Sequence, residues 1–334
     1  MQIEIYRLES VLMKTVLISA PYMLPHMERF GPILESFGLE LIIPEVNERL
    51  SEEELMIYAG QFDGTICGDD HYTKKVFEAC ASRLKVISKW GTGIDSIDQQ
   101  AAEKFGIKVC NTPNAFTVPV SESVMGYMLA FARQLPLLDS AMKAGQWRKC
   151  SGKTLSECTL GVIGVGNVGK AVLRRARQFG MKLLGNDIIE IEPDFLLEYG
   201  VEMTDLSDLM RRVDYISVNC TLNPTSFHLV NAEMLSLCKP DAVLINTARG
   251  PIVDESALIN ALGEGHIGGA ALDVFEVEPL PQDSPFMKMD NVMLAPHNSN
   301  SSPFFWERVH WNTIRNLLLG LELPVEKLDV FKAE

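Results

Sequence analysis

Three side chains suited to moving a proton beside a carboxylate each follow an apolar, strand-like run: Arg249 after AVLINTA, Glu278 after AALDVF and His297 after NVMLAP. Histidine exchanges a proton near neutral pH, and a carboxylate partner orients the ring and stabilises its charged form. Arginine supplies a cation for a substrate carboxylate and carbonyl. With a hydride carrier, these are the parts needed to interconvert a keto acid and a hydroxy acid. Singly, each has an ordinary explanation. Arg249 fits a surface residue ahead of a helix near Asp254, Glu278 a solvated acid beside Glu276 in a proline turn, and His297 a hinge histidine. Their common position after consecutive strands sets them apart, because open α/β sheets bind ligands beyond the carboxyl ends of their strands. The remaining histidines, His26, His71, His228, His266 and His310, stand in helix or loop contexts and read as structural.

A carrier site precedes them. TLGVIGVGNVGKAV sets Gly164, Gly166 and Gly169 in a G-x-G-x-x-G between a strand and a helix. In that pattern the first glycine permits a tight turn, the second lets backbone approach a pyrophosphate, and the third allows close helix–strand packing. The helix N-terminus adds free N–H groups and a positive dipole end. Glycine-rich turns are common, so the context matters. MKLLGND ends the next strand on Asp187, at about the 20-residue spacing of the acid that binds ribose hydroxyls. That carboxylate would repel a 2′-phosphate, and IIEIEPD after it contains no lysine or arginine, which favours NAD over NADP.

The elements around these residues alternate. TVLISA (15–20), LELIIP (39–44), GTIC (64–67), KVIS (85–88) and KVC (108–110) read as strands buried on both faces, as in a parallel sheet. Helix-period segments lie between them. NTPNAFTVP (111–119) is a polar, proline-containing break and a candidate hinge. From Ser121 and Glu122 a long apolar stretch is expected to pack on another subunit or on the domain seam. A second βα series then runs from TLGVIGV to NVMLAPH, and the closing helix FFWERVHWNTIRNLLLGL is expected to return to the first domain.

Composition excludes several classes. A net charge of −14 disfavours nucleic acid or an anionic membrane as partner. No run of about 18 apolar residues suggests a membrane span. The seven cysteines are scattered, with neither paired nor zinc-ligand spacing, so a reduced, cytoplasmic protein without a metal site is expected. MQIEIYRLESVLMK lacks the marks of a signal peptide. Its first dozen residues read as an extra edge strand or an over-extended start ahead of Met13.

Over nearly its whole length the chain resembles the D-isomer-specific 2-hydroxyacid dehydrogenases. KWGTGIDSID (89–98), NTPNAFTVPVSE (111–122), GVIGVGNVGK (161–170), NTARGPIVDESAL (246–258), GGAALDVFEVEPL (268–280) and APHNSNSS (295–302) carry the resemblance. ARQLP (132–136) and MKAGQW (142–147) tilt it toward the phosphoglycerate dehydrogenase branch, without the C-terminal regulatory domains some of those enzymes carry. The resemblance implies an α/β protein of two doubly wound parallel-sheet domains. A flavodoxin-like substrate domain (1–111 and 298–334) would carry an inserted Rossmann NAD-binding domain (112–297). It implies that Arg249 binds the substrate carboxylate and polarises the keto group, that His297 is the acid–base residue, and that Glu278 pairs with it. Backbone amides of Gly91, Thr92 and Gly93 would hold the carboxylate. Asp273 would bind the nicotinamide carboxamide, and Asn167, Val168, Asp187, Cys220 and Thr247 the rest of NAD. Glutamate rather than glutamine at 278 argues against the related formate dehydrogenases. A small 2-hydroxy or 2-keto acid is the expected substrate and a homodimer the expected assembly. The competing reading is an NAD(H)-sensing, corepressor-like binding protein on the same scaffold.

Two departures from the family pattern stand out. The loop after His297 is polar throughout, Asn298-Ser299-Asn300-Ser301-Ser302, and would suit either a polyhydroxylated substrate or a solvated hinge. Near the third strand, Asp69 and Asp70 would repel a substrate phosphate if they face it, with Lys89 as a possible compensating cation and Trp90 beside the GTG loop. The expectation is that 3-phosphoglycerate is not the best substrate.

Overall fold

The five apolar runs of the first hundred residues become strands β1 (Lys14–Ile18), β2 (Leu39–Ile42), β3 (Gly64–Cys67), β4 (Val86–Lys89) and β5 (Lys108–Cys110). All pair in parallel in the order β2-β1-β3-β4-β5, the flavodoxin-like order. The structure, a computed structural model, describes residues 13–331. The dozen residues read as an edge strand or over-extended start lie outside them. The sheet is covered on both faces, so β3 and β4 are buried at every position. Ser51, Thr73 and Asp98 each cap a helix of this unit by accepting from a backbone N–H in its first turn.

Two compact units divide the chain. One comprises residues up to Ala115 and from Trp306 onward, the other Phe116–Phe305. The closing helix, Pro303–Gly320, returns to the first sheet as expected: the Ser88 hydroxyl donates to the Thr313 carbonyl at 2.7 Å. Gly320 packs so tightly on β4 that a Cβ there would stand 2.3 Å from a Val86 methyl.

The second unit holds β6 (Thr159–Ile163), β7 (Lys182–Asn186), β8 (Val201–Met203), β9 (Tyr215–Val218), β10 (Val243–Asn246), β11 (Gly269–Leu272) and β12 (Val292–Leu294). Their order, β12-β11-β10-β9-β6-β7-β8, reverses direction at β6 and β9. It is the dinucleotide-binding order with one strand added at the edge. The three-residue edge strand β8 is too short to show a pattern in the sequence.

The stretch after Cys110 differs from its sequence reading. Helix Thr117–Ala132 begins inside the supposed break, with Pro119 in its first turn, where a missing N–H breaks no helical bond. Gln134 is left-handed (φ 53°, ψ 37°) and starts a second helix, Leu135–Lys143, so the apolar stretch is two elements. Val124 and Met128 are fully buried in the unit's own core with Val172 and Leu173, which removes them from any subunit contact. Exposed apolar side chains come later: Leu135, Leu137, Met142 and Trp147, the last 82% exposed.

The two acids near β3 also separate. Asp70 is fully buried, accepting from the Leu50 amide at 2.7 Å and from the Ser19 hydroxyl. Asp69 pairs with buried Lys89 at 3.0 Å. Burial pushes the Asp70 carboxyl up to about 6. The native state therefore holds a proton that the unfolded chain releases near pH 4, and stability falls as pH rises from about 4 to 6. Two pKa units correspond to about 3 kcal/mol. Asp70→Asn keeps the shape of the protonated acid without its charge. Melting temperatures of variant and wild type should therefore diverge in the variant's favour between pH 4 and pH 7; a gap independent of pH would show that Asp70 stays ionised in the fold.

Candidate functional site

The glycine fingerprint lies where β6 gives way to helix Asn167–Gln178. Gly164 has φ +90°, and a Cβ on it would lie 2.5 Å from the amide nitrogen of Cys220 on the neighbouring strand's loop. At Gly169 a Cβ would lie 2.1 Å from the Gly164 carbonyl, so only glycine lets this helix sit so close to β6. A Cβ on Gly166 would meet nothing within 4 Å: open space at the helix N-terminus, where a phosphate needs to approach backbone. Gly166 and Asn167 are exposed and Val168 half-buried around it. Asp187, after β7, accepts from the Val165 amide at 2.6 Å and from Ile189 at 3.1 Å. The ribose candidate thus also fastens the glycine loop to the end of β7. Thr247, half-buried after β10, has a buried hydroxyl without a partner among the described residues. Cys220 is half-buried, its thiol pushed up to about 11 by burial. An open cradle, a fixed acid and an orphaned hydroxyl fit a dinucleotide.

Arg249, Glu278 and His297 follow β10, β11 and β12, three adjacent parallel strands. Glu278 Oε2 meets His297 Nδ1 at 3.0 Å, and its Oε1 accepts from the Phe275 amide, also at 3.0 Å. Both side chains are largely buried, 13% and 21% exposed, which strengthens the pair relative to water. His297 is left-handed, φ 50°, a conformation a non-glycine residue keeps only when its surroundings impose it. Asp273 imposes it. The carbonyl of Asp273 accepts from the His297 amide at 2.7 Å, and its carboxylate accepts from Asn298 and Ser299 at 2.8 and 2.9 Å. Expected to hold the nicotinamide, Asp273 is 1% exposed and fastens the histidine loop. That loop is less solvated than its composition suggests, because Ser299 is 4% exposed.

Arg249 is half-buried at a turn shaped by Asn246, whose side chain accepts from the Ala248 amide at 3.1 Å and donates to the Arg249 carbonyl at 2.9 Å. The next residue, Gly250, lies so close to the strand-β11 loop that a Cβ would fall 1.9 Å from the Phe275 carbonyl carbon. The turn carrying Arg249 and the loop carrying Glu278 are therefore in backbone contact. The sequence reading missed Asn246 and Gly250, although both stand inside NTARG.

In the first unit, Gly91, Thr92 and Gly93 follow β4. The Gly91 carbonyl accepts from Thr112 at 2.8 Å, and the Thr92 hydroxyl donates to the Thr112 carbonyl at 2.9 Å. The loop's own three amides donate to no other group among the described residues, which leaves them available to an anion. Trp90 beneath it is buried, its Nε1 donating to His310 Nδ1 at 2.9 Å; burial holds that ring down to about 4, so His310 serves as a neutral structural acceptor.

Known proteins resemble this chain in sequence and in fold. The family described as D-isomer specific 2-hydroxyacid dehydrogenase, NAD binding domain, matches residues 125–299. A glyoxylate reductase of Thermofilum pendens is 40% identical over 283 residues, 82% of this chain and 83% of that one. A D-3-phosphoglycerate dehydrogenase of Methanocaldococcus jannaschii is 40% identical over 262 residues, 77% of this chain and 49% of that one. The chain therefore spans about half the length of that relative. A solved D-lactate dehydrogenase from Aquifex aeolicus, complexed with NAD and lactic acid, superposes with a TM-score of 0.80 at 27% identity, covering 90% of this chain and 93% of that one. The unit built on the glycine cradle is an NAD-binding domain, and the chain belongs to the D-isomer specific 2-hydroxyacid dehydrogenases, a family of NAD-dependent oxidoreductases.

Proposed function

We propose that this chain interconverts a small 2-keto acid and a D-2-hydroxy acid, with His297 and Glu278 as its acid–base pair and Arg249 as its substrate cation. The observation that carries the reading is the 3.0 Å contact between Glu278 Oε2 and His297 Nδ1. With Nδ1 engaged, Nε2 is the nitrogen that holds and moves the proton, to the carbonyl oxygen in reduction and from the hydroxyl in oxidation. Glu278 favours the charged ring and fixes its orientation. Arg249 takes the substrate carboxylate and draws electron density from the keto oxygen. NAD supplies the hydride acceptor or, reduced, the donor. Gly164, Gly166, Asn167 and Val168 would hold its pyrophosphate, Asp187 its adenosine ribose, and Cys220, Thr247 and Asp273 would line the remainder.

The substrate is a small, unphosphorylated acid in this reading. Lys89, the cation beside the GTG loop, is buried and already paired with Asp69, so it has little to offer a phosphate dianion. A second copy of the chain is the proposed partner, through the exposed apolar residues of 135–147. A reducing, cytoplasmic setting agrees with seven unpaired cysteines.

Loss of NADH absorbance should follow addition of glyoxylate or hydroxypyruvate more efficiently than addition of a phosphorylated keto acid. His297→Ala should slow turnover by about 10²–10⁴-fold, the scale of a general acid–base group, while NADH still binds. Tight NADH binding without turnover on any keto acid would replace this reading with an NAD(H)-sensing role. Asp187→Asn keeps an acceptor for the Val165 amide but removes the charge. The KM for NADPH relative to NADH should then fall at least about tenfold, or roughly 1.4 kcal/mol; an unchanged ratio would mean that Asp187 does not face the ribose.

A further inference from the structure

Two glutamates two residues apart, Glu276 and Glu278, are each held by a histidine in the left-handed backbone region: His228 (φ 48°) and His297 (φ 50°). The second pair is the acid–base couple proposed above. The first has no part in that chemistry. His228 Nε2 lies 2.9 Å from Glu276 Oε1, and its Nδ1 lies 3.9 Å from Asp254 Oδ2. Phe227 stacks on the ring at 4.0 Å.

Three segments meet at this ring. The loop after β9 is tied to the Arg249 turn by the His228 amide on the Pro251 carbonyl (2.9 Å) and by a bridge between Val230 and Val253. That turn is tied to the Glu278 loop by a reciprocal exchange, in which the Glu276 amide donates to Glu255 Oε1 at 2.6 Å and the Glu255 amide to Glu276 Oε1 at 3.2 Å. The neighbouring Phe275 amide holds Glu278 itself. Glu276 Oε1 is thus shared between His228 and the amide of Glu255. Glu255 is forced upward, first by burial and then by the charges of Glu276 and Glu278. Asp254, Glu255, Glu276 and Glu278 therefore crowd one region, and the donor that meets Glu276 from the β9 side is His228.

We propose that His228 is a positioning residue for the His297–Glu278 pair, acting through Glu276 to fix the loop from which Glu278 reaches the catalytic ring. This rests on the acid–base reading above. The same side chains bring three metal-type donors within 4.8 Å. However, Nε2 is already engaged with Glu276 at 2.9 Å while Nδ1 stands 3.9 Å from Asp254, so the ring is placed as a hydrogen-bond partner of Glu276.

The test compares wild type with His228→Ala, His228→Gln and Glu276→Gln in the purified chain. His228→Ala should lower kcat by about 10- to 100-fold, the effect of a slightly misplaced catalytic group, with KM for NADH unchanged. His228→Gln retains an N–H for Glu276 and should recover most of the loss. Independently of turnover, the ¹⁵N-histidine signals of His297, assigned from His297→Ala, should shift in His228→Ala and Glu276→Gln and return toward wild type in His228→Gln. Unmoved His297 signals, or a kcat loss matched by lost NADH affinity and melting temperature, would overturn the proposal. Shifted signals in a protein that reduces no keto acid would keep the positioning role and discard the catalytic reading on which its purpose rests.

Discussion

The NAD-binding unit depends on one buried carboxylate. Asp273 accepts two consecutive amides, Asn298 and Ser299, while its own carbonyl takes the amide of His297. A carboxylate at 1% exposure needs such donors, because burying a charge without hydrogen-bond partners costs heavily. The loop in turn needs the carboxylate, because a left-handed histidine has no reason to persist without restraint. Each requirement answers the other, and the His297 ring is consequently presented to Glu278 with little freedom. Removing Asp273 would release the histidine loop.

Close backbone approaches transmit that order sideways. Gly164 against Cys220, Gly169 against Gly164 and Gly250 against Phe275 are all contacts that a single methyl group would prevent. They lie at the carboxyl ends of β6, β9, β10 and β11, where loops from neighbouring strands must converge to surround a ligand. Side chains at these points would hold the loops apart. Their absence allows peptide planes themselves to set the spacing, which is stiffer than side-chain packing because the backbone has no rotamers to exchange.

Much of this was legible in the sequence because the signals were local. Strand-like runs followed by Arg249, Glu278 and His297, and glycines at fixed offsets before Asp187, depend on residues within one loop, and the parallel sheets follow from runs apolar on both faces. What stayed hidden depends on distant partners. Nothing in FEVEPL says which of Glu276 and Glu278 faces His297; that choice is made by Phe275, whose amide holds Glu278, and by Glu255, which takes the amide of Glu276. His228 reads as an ordinary loop histidine because its partners are 26 and 48 positions away in the numbering of Asp254 and Glu276. The start of helix Thr117–Ala132 was hidden by Pro119, which reads as a break although a first helical turn accepts it.

Charge counted along a sequence is the least reliable of these signals, and the segment after β3 shows why. Asp69 and Asp70 are adjacent and look like one acidic patch. In the fold, the first neutralises Lys89, and the second turns inward to hold Ser19 and the amide of Leu50. The patch therefore exerts much less repulsion than its formula suggests, yet the region still lacks an obvious phosphate site, because the same pairing that quiets Asp69 also occupies Lys89. Two opposite readings of the sequence, an acid that repels and a lysine that attracts, cancel in a single 3.0 Å contact.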